Sequence, residues 1–147
     1  MRPADAETLD QLEFGRALEE VARRAAGPLG AARVRSRRPA ADLEGVRVEL
    51  RAVAELAGLL AGGDGFRPEP VDDIAALLER LGVPGVVLDG LELVALGRAL
   101  EAMRLVRAEL ERVKELAPLT TALAAEPPPA RLGRDLLRIL DADGSVR

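Results

Sequence analysis

The chain has 147 residues, enough for one domain with a buried core, and its 48% hydrophobic and 31% charged residues are typical of a folded protein. It contains no Cys and no His, which excludes disulfides, Cys or His nucleophiles, and zinc sites built from these ligands. Its net charge of −4 gives the chain no overall positive field that would attract nucleic acid.

No membrane-spanning or secretory segment is predicted. No apolar run reaches the roughly 20 residues that cross a bilayer, and the N-terminus lacks the apolar core of a signal peptide. We therefore expect a cytoplasmic protein with no membrane partner.

The first helix is predicted to begin at Thr8, because Thr8 and Gln11 have the spacing of a capping box. Apolar residues then recur at helical intervals, at Phe14, Leu18, Val21 and Ala25. Gly27-Pro28 ends or kinks this helix, and an arginine-rich segment follows it.

Two long helices are predicted, at about residues 42–61 and 89–117. The first has an N-cap at Asp42 and apolar residues at 3-4-3-4-3 spacing, namely Leu43, Val46, Leu50, Val53, Ala57 and Leu60. This spacing predicts a helix packed along its length against another at a shallow angle. The second begins at an Asp89–Glu92 capping box and is stopped by Pro118.

Shorter helices complete the pattern. Apolar spacing predicts one from Val71 to Leu81 and a last one from Leu132 to Leu140, with a further turn or two after Pro118. The β-branched run Val86-Val87-Leu88 is too short to indicate a sheet. The sequence therefore predicts an all-α, elongated helical bundle in a single domain over residues 1–147.

Carboxylates are the main remaining source of chemistry. Adjacent helical residues such as Asp72 and Asp73 point about 100° apart and do not converge on one ion. Asp141 and Asp143 precede Gly144 too closely for a calcium loop, which needs its Gly at position 6 and a Glu at position 12. We interpret Asp141–Gly144 as a tight turn and expect no catalytic or metal-binding residue in this chain.

The strongest local charge is an arginine cluster, formed by Arg33, Arg35, Arg37 and Arg38. Arginine suits bidentate phosphate binding, so these residues are candidate nucleic-acid contacts. The alternative is a solvated segment whose charges pair with glutamates of neighbouring helices. Phe14, Phe66 and Met103 are assigned to the core rather than to a site.

The order of these segments along the chain resembles that in the second family of bacterial MutS proteins, the paralogues with a C-terminal Smr nuclease domain. The opening helix contains Leu12, Glu13 and Phe14, like the Leu-Glu-Phe start of the family. The segments 39–46, 73–80 and 118–124 resemble its following elements in order. Asp141, Asp143 and Gly144 match its Asp-x-Asp-Gly-x-Val turn.

The resemblance implies an N-terminal core or lever fragment of a DNA-binding ATPase related to mismatch repair proteins and to recombination suppression. The clamp helices, the ATPase domain with its ATP and Mg²⁺, and the Smr domain would lie outside this chain, which would itself hold no cofactor. Its partners would be those domains, DNA through the full protein, a second copy in a homodimer, and the ribosome in some members. The chain's end, Val146-Arg147, would be a cut edge that is poorly tied down.

Two other interpretations remain open. The chain could be a stand-alone helical module for protein interaction or dimerisation. It could also be an enzyme that uses a carboxylate pair with a metal ion.

Overall fold

The computed structural model describes residues 5–40, 42–63, 66–67, 70–124 and 126–147. Within these ranges the chain forms α1 (Ala6–Gln11), α2 (Phe14–Ala22), α3 (Pro28–Arg35), α4 (Leu43–Ala61), α5 (Ala75–Leu81), α6 (Gly90–Arg112), α7 (Pro118–Leu123) and α8 (Ala130–Ile139). The described residues contain no strand, only an isolated antiparallel bridge between Leu140 and Val146. The predicted all-α class is confirmed.

The N-terminal helix begins earlier than predicted and is broken. Asp5, not Thr8, is the N-cap, and its carboxylate accepts from the Thr8 amide at 2.8 Å. Asp5 lies three residues before Thr8, so the carboxylate satisfies an unpaired amide of the first turn. Helix α1 ends at Gln11, Glu13 has a left-handed φ of 50°, and α2 starts at Phe14.

The apolar face predicted for the first long helix is largely exposed, with Val46 half-buried. We call its six residues, Leu43, Val46, Leu50, Val53, Ala57 and Leu60, the α4 stripe. Helix α4 instead packs against α7 and buries Ala52 and Leu59, which lie on a different face. The predicted packing of this face along another helix is not formed among the residues that the structure describes, because periodicity identifies an apolar face without saying which face is covered.

The second long helix begins as predicted, with both hydrogen bonds of the Asp89–Glu92 capping box present. It ends at Arg112 rather than near residue 117. Pro118 disfavours helical backbone at the residue before it, and Ala117 accordingly has φ −136° and ψ 60°. The intervening residues 113–116 form turns.

Helix α6 connects two hydrophobic clusters. The first contains Leu59, Phe66, Leu110, Val113 and Ala117. The second contains Ile74, Leu96, Ala99 and Leu100, with Met103 packed against it. Phe66 and Met103 therefore lie in or beside the core, as predicted, whereas Phe14 is only half-buried.

Helices α6 and α8 pack closely through two glycines. A Cβ added to Gly133 would lie 3.0 Å from the Leu100 Cβ, and one added to Gly97 would lie 3.1 Å from Leu137. Both glycines are buried. The close approach therefore requires the absence of side chains at these two positions.

None of the described helices combines the length and the apolar character that crossing a bilayer requires.

Candidate functional site

Two of the four candidate arginines form ion pairs with acids of neighbouring elements. Arg35, in the last turn of α3, donates to both carboxylate oxygens of Glu19 on α2, at 2.7 and 3.0 Å. This hydrogen-bonded pair holds the pKa of Glu19 below its ordinary value. Arg37 donates to Glu49 of α4 at 2.6 Å. These contacts connect α3 to α2 and the following segment to α4.

The other two arginines are available for an anion. Arg33 and Arg38 form no ion pair within the described part of the chain, and Arg38 donates only to the backbone oxygen of Arg37, at 3.1 Å. The structure therefore does not assemble the four arginines into one free phosphate-binding cluster. Contact of Arg33 and Arg38 with nucleic acid stays a prediction.

A groove of about 330 Å³ lies beside this segment, between α1, α2 and the end of α3. Leu9, Phe14 and Leu18 form its apolar part, and Arg35 and Arg38 its charged edge. The family-matching residues Leu12 and Glu13 form the corner between α1 and α2, with Leu12 exposed. They shape the backbone around the groove rather than bind through it.

A second feature is the junction between α4 and α7. The Glu55 carboxylate accepts hydrogen bonds from the Leu119 amide at 3.3 Å, the Thr120 amide at 2.9 Å and the Thr120 hydroxyl at 3.1 Å. The buried Thr120 hydroxyl also reaches the Ala52 backbone oxygen at 3.2 Å. Glu55 thus supplies the cap that no side chain of α7 itself provides.

Sequence reasoning missed this junction. The sequence offers Glu55 as an internal acid of the long helix, a feature that the resembled family shares, and Thr120 as a hydroxyl just after Pro118. The available signal is that an acid on an apolar face needs donors, and a helix that begins with Pro needs acceptors for its first amides. Pairing the two requires the tertiary fold, because 65 residues separate Glu55 from Thr120.

We expect Glu55 to contribute to the pH dependence of stability. Burial opposes its ionisation, but the hydrogen bonds from Thr120 and Leu119 together outweigh burial, so its pKa lies below the ordinary value of 4.5. A lowered pKa in the folded state stabilises the protein above the ordinary value, and this contribution is lost as pH falls through the folded pKa. Glu55→Gln should therefore melt at a lower temperature than wild type at neutral pH. The difference between the two melting temperatures should become smaller as the pH is lowered.

The measurement is thermal unfolding of both proteins across the acid range. Glu79→Gln, on the exposed side of α5, is the matched control and should follow the wild-type curve. Parallel curves for wild type and Glu55→Gln at every pH would contradict the prediction.

The C-terminal turn has the predicted local form. Gly144 has φ +83°, and its amide donates to the Asp141 backbone oxygen at 3.0 Å. The Asp143 carboxylate accepts from the Ser145 hydroxyl at 2.7 Å and the Ser145 amide at 3.0 Å, and these bonds hold the pKa of Asp143 below its ordinary value. The two carboxylates are engaged in separate local contacts.

The chain's end is tied down, which corrects the prediction of a loose edge. The Arg147 amide donates to the Ile139 backbone oxygen at 2.9 Å, and its guanidinium pairs with Asp141 at 2.7 Å. The Leu140–Val146 bridge lies between these contacts. The turn folds the last residues back onto the end of α8.

The same turn contacts the start of α6. A Cβ on Gly144 would lie 2.5 Å from the Leu91 amide nitrogen, and a Cβ on Gly90 would overlap the backbone oxygen of Gly144. The two backbones can approach this closely only because both residues are glycines. The turn that contains Asp141, Asp143 and Gly144 therefore connects the end of α8 to the start of α6.

No acidic cluster that could hold a metal is present among the residues that the structure describes. Asp73 lies just before α5, whose N-cap is Ile74, and its carboxylate accepts from the Ala75 amide at 2.9 Å. Asp72 is exposed.

The sequence is 38% identical over 106 residues to the endonuclease MutS2 of Gemmatimonas aurantiaca. The match covers 72% of this chain but 13% of that protein, so the chain spans a small part of the relative it matches. No protein-family profile matches the sequence, and no solved structure matches it significantly. The resemblance to the second MutS family is confirmed as a relationship to MutS2.

Proposed function

We propose that this MutS2-related chain is a non-catalytic N-terminal core or lever region of a longer MutS2-type protein. In that protein it would pass the nucleotide-driven movement of an ATPase domain on to helices that clamp DNA. The observation that carries the proposal is the 106-residue similarity to MutS2, together with the order of the family-like segments along the chain.

The packing of the helices suits a mechanical role. Helix α6 has 23 residues and is therefore about 35 Å long. It contributes to both hydrophobic clusters and packs against α7 and α8. A packed helix of this kind moves as a rigid body, so a displacement at one end reaches the other.

Two junctions extend this rigid unit. Glu55 and Thr120 join α4 to α7, and Gly144 holds the C-terminal turn against the start of α6. Under the proposal, force applied to α4 is passed through α7 to α6, and from α6 to α8. ATP, Mg²⁺ and the nuclease chemistry would belong to other parts of the longer protein, and DNA would be bound through that protein.

The proposal is tested in a chimera. The aligned segment of the Gemmatimonas MutS2 is replaced by this chain, and ATP hydrolysis is measured with and without branched DNA. We expect the chimera to retain hydrolysis and its response to DNA. Glu55→Ala in the chimera should leave hydrolysis without DNA unchanged and reduce the response to DNA, because it loosens the α4–α7 junction.

The matched control is Glu79→Ala, which removes an exposed carboxylate from α5 and should leave the response intact. Two results would overturn the proposal. One is a Gemmatimonas MutS2 from which the aligned segment has been deleted and whose ATP hydrolysis still responds normally to DNA. The other is ATP hydrolysis by the isolated chain that mutations in the chain abolish.

A further inference from the structure

Helices α1, α2 and α3 form a unit, here called the N-terminal unit, that is nearly separate from the rest of the fold. Helix α1 packs on α2, and α2 on α3, whereas none of the three makes more than an isolated contact with a described helix from α4 to α8. Among the described residues, α1 and α3 contain no buried residue and α2 contains only Ala22. Neither hydrophobic cluster includes a residue of this unit. Few buried apolar contacts therefore fix its position.

The N-terminal unit is joined internally by polar contacts. The two hydrogen bonds from Arg35 to Glu19, at 2.7 and 3.0 Å, connect the last turn of α3 to α2. A bidentate arginine–carboxylate pair fixes the relative orientation of its two partners better than a single hydrogen bond does. A displacement of the unit should therefore move its helices together.

Two contacts described in the structure attach this unit to the rest of the chain. Gly27, the N-cap of α3, lies beside the segment that precedes α5, and a Cβ added to it would be 3.4 Å from the Val71 backbone oxygen and 3.7 Å from the Pro70 Cβ. These are ordinary van der Waals distances. The second contact is the ion pair between Arg37, which follows α3, and Glu49 of α4, at 2.6 Å. The attachment is therefore small and partly electrostatic.

The linker between α3 and α4 permits a change of orientation. Helix α3 ends at Arg35 and α4 begins at Leu43, and residues 36–40 between them belong to no helix or strand. Pro39 has no backbone N–H, and it disfavours helical backbone at the residue before it, so α3 does not continue into α4. Hinges are short segments of this kind, which absorb changes in φ and ψ while the helices on either side stay intact.

We propose that the N-terminal unit is hinged at this linker and that the Arg37–Glu49 ion pair is a latch that fixes its orientation relative to α4. The arginine side chain is 47% exposed and the glutamate side chain 55%, so water and salt weaken their attraction. An exposed ion pair shifts an equilibrium by about 1.4- to 5-fold. The latched orientation is therefore in exchange with open ones. The inference depends on contacts within this chain and not on the proposed lever function.

Salt should open the latch without loosening the rest of the fold. The distance over which salt screens charges falls from about 10 Å at 0.1 M to about 3 Å at 1 M. Arg33 and Arg38 add positive charge beside the latch, so anions accumulate there and compete with Glu49 for Arg37. The two hydrophobic clusters that join α4 to α8 do not depend on such attraction. The effect of salt therefore distinguishes the latch from the core.

The test measures distances between two spin labels in the full chain, which has no Cys of its own. Ala17→Cys on α2 with Ala108→Cys on α6 reports the orientation of the N-terminal unit, and Ala57→Cys on α4 with Ala108→Cys is the reference pair. All three alanines are exposed. Pulsed electron paramagnetic resonance should show two populations for the first pair, with their ratio changing by about 1.4- to 5-fold toward the open one between low salt and about 1 M NaCl. The reference distance should stay unchanged.

Substitutions at the latch should reproduce the effect of salt. Glu49→Gln should show the high-salt ratio already at low salt and lose most of the salt dependence. The matched control is Glu44→Gln, because Glu44 pairs with Arg47 and Arg51 inside α4, and it should behave like wild type. Arg37→Glu alone should favour the open population, and combining it with Glu49→Arg should restore the latched one.

Three results would overturn the proposal. One is a single narrow distance in Glu49→Gln at every salt concentration, which would show that packing holds the unit. Another is a broad distribution that is the same in wild type and in Glu49→Gln, which would show a hinge without this latch. The third is a reference distance that broadens together with the first, because the whole fold would then be loosened.

Discussion

Replacing Phe66 with Ala is expected to lower the free energy of unfolding by about 3–5 kcal/mol. Phe66 is 4% exposed and lies in the hydrophobic cluster with Leu59 of α4 and Leu110 of α6. Removing its ring deletes the only aromatic side chain of that cluster. The surrounding aliphatic side chains lie on α4, on α6 and in the turn before Pro118. They can therefore collapse only partly into the cavity that the missing ring leaves.

The measurement is thermal and urea unfolding of the purified chain. For a chain of about 150 residues each kcal/mol shifts the melting temperature by roughly 2–4 °C, so the loss should be on the order of 10 °C. Phe14→Ala is the matched control, because Phe14 is half-buried beside an open groove and should cost clearly less. Equal losses for the two variants would show that Phe66 does not organise the cluster.

Features fixed by a few neighbouring residues could be predicted from the sequence. The Asp89–Glu92 capping box and the turn at Gly144 each depend on local backbone chemistry and are present in the structure. The all-α class follows from the same local signals summed along the chain. The resemblance to the MutS2 family also came from short segments in order, and the similarity to a MutS2 supports it.

Features that depend on tertiary contacts could not be predicted from the sequence. The α4 stripe has the stronger heptad spacing, yet α4 buries the face that carries Ala52 and Leu59, because Glu55 on that side finds donors on α7. The ion-pair partners of Arg35 and Arg37 likewise depend on which glutamates the fold brings close to them. Sequence spacing identified these side chains but not their partners.

Replacing Gly144 with Ala is the second large expected effect, a loss of about 2–5 kcal/mol in the free energy of unfolding. Gly144 has φ +83°, where an L side chain costs roughly 1–2 kcal/mol. The new Cβ would also lie 2.5 Å from the Leu91 amide nitrogen, and relieving such overpacking costs typically about 1–3 kcal/mol. Neither atom of this contact belongs to a flexible side chain, so the C-terminal turn must move away from α6.

The displacement should be visible where the turn is anchored. We expect faster hydrogen exchange at the Arg147 amide, which donates to the Ile139 backbone oxygen, together with the lower melting temperature. Gly58→Ala is the matched control. Gly58 lies in α4 with open space around it, so Ala should stabilise the helix by about 0.5–1 kcal/mol. If Gly144→Ala unfolds like wild type, the contact between the C-terminal turn and the start of α6 does not contribute to the stability of the fold.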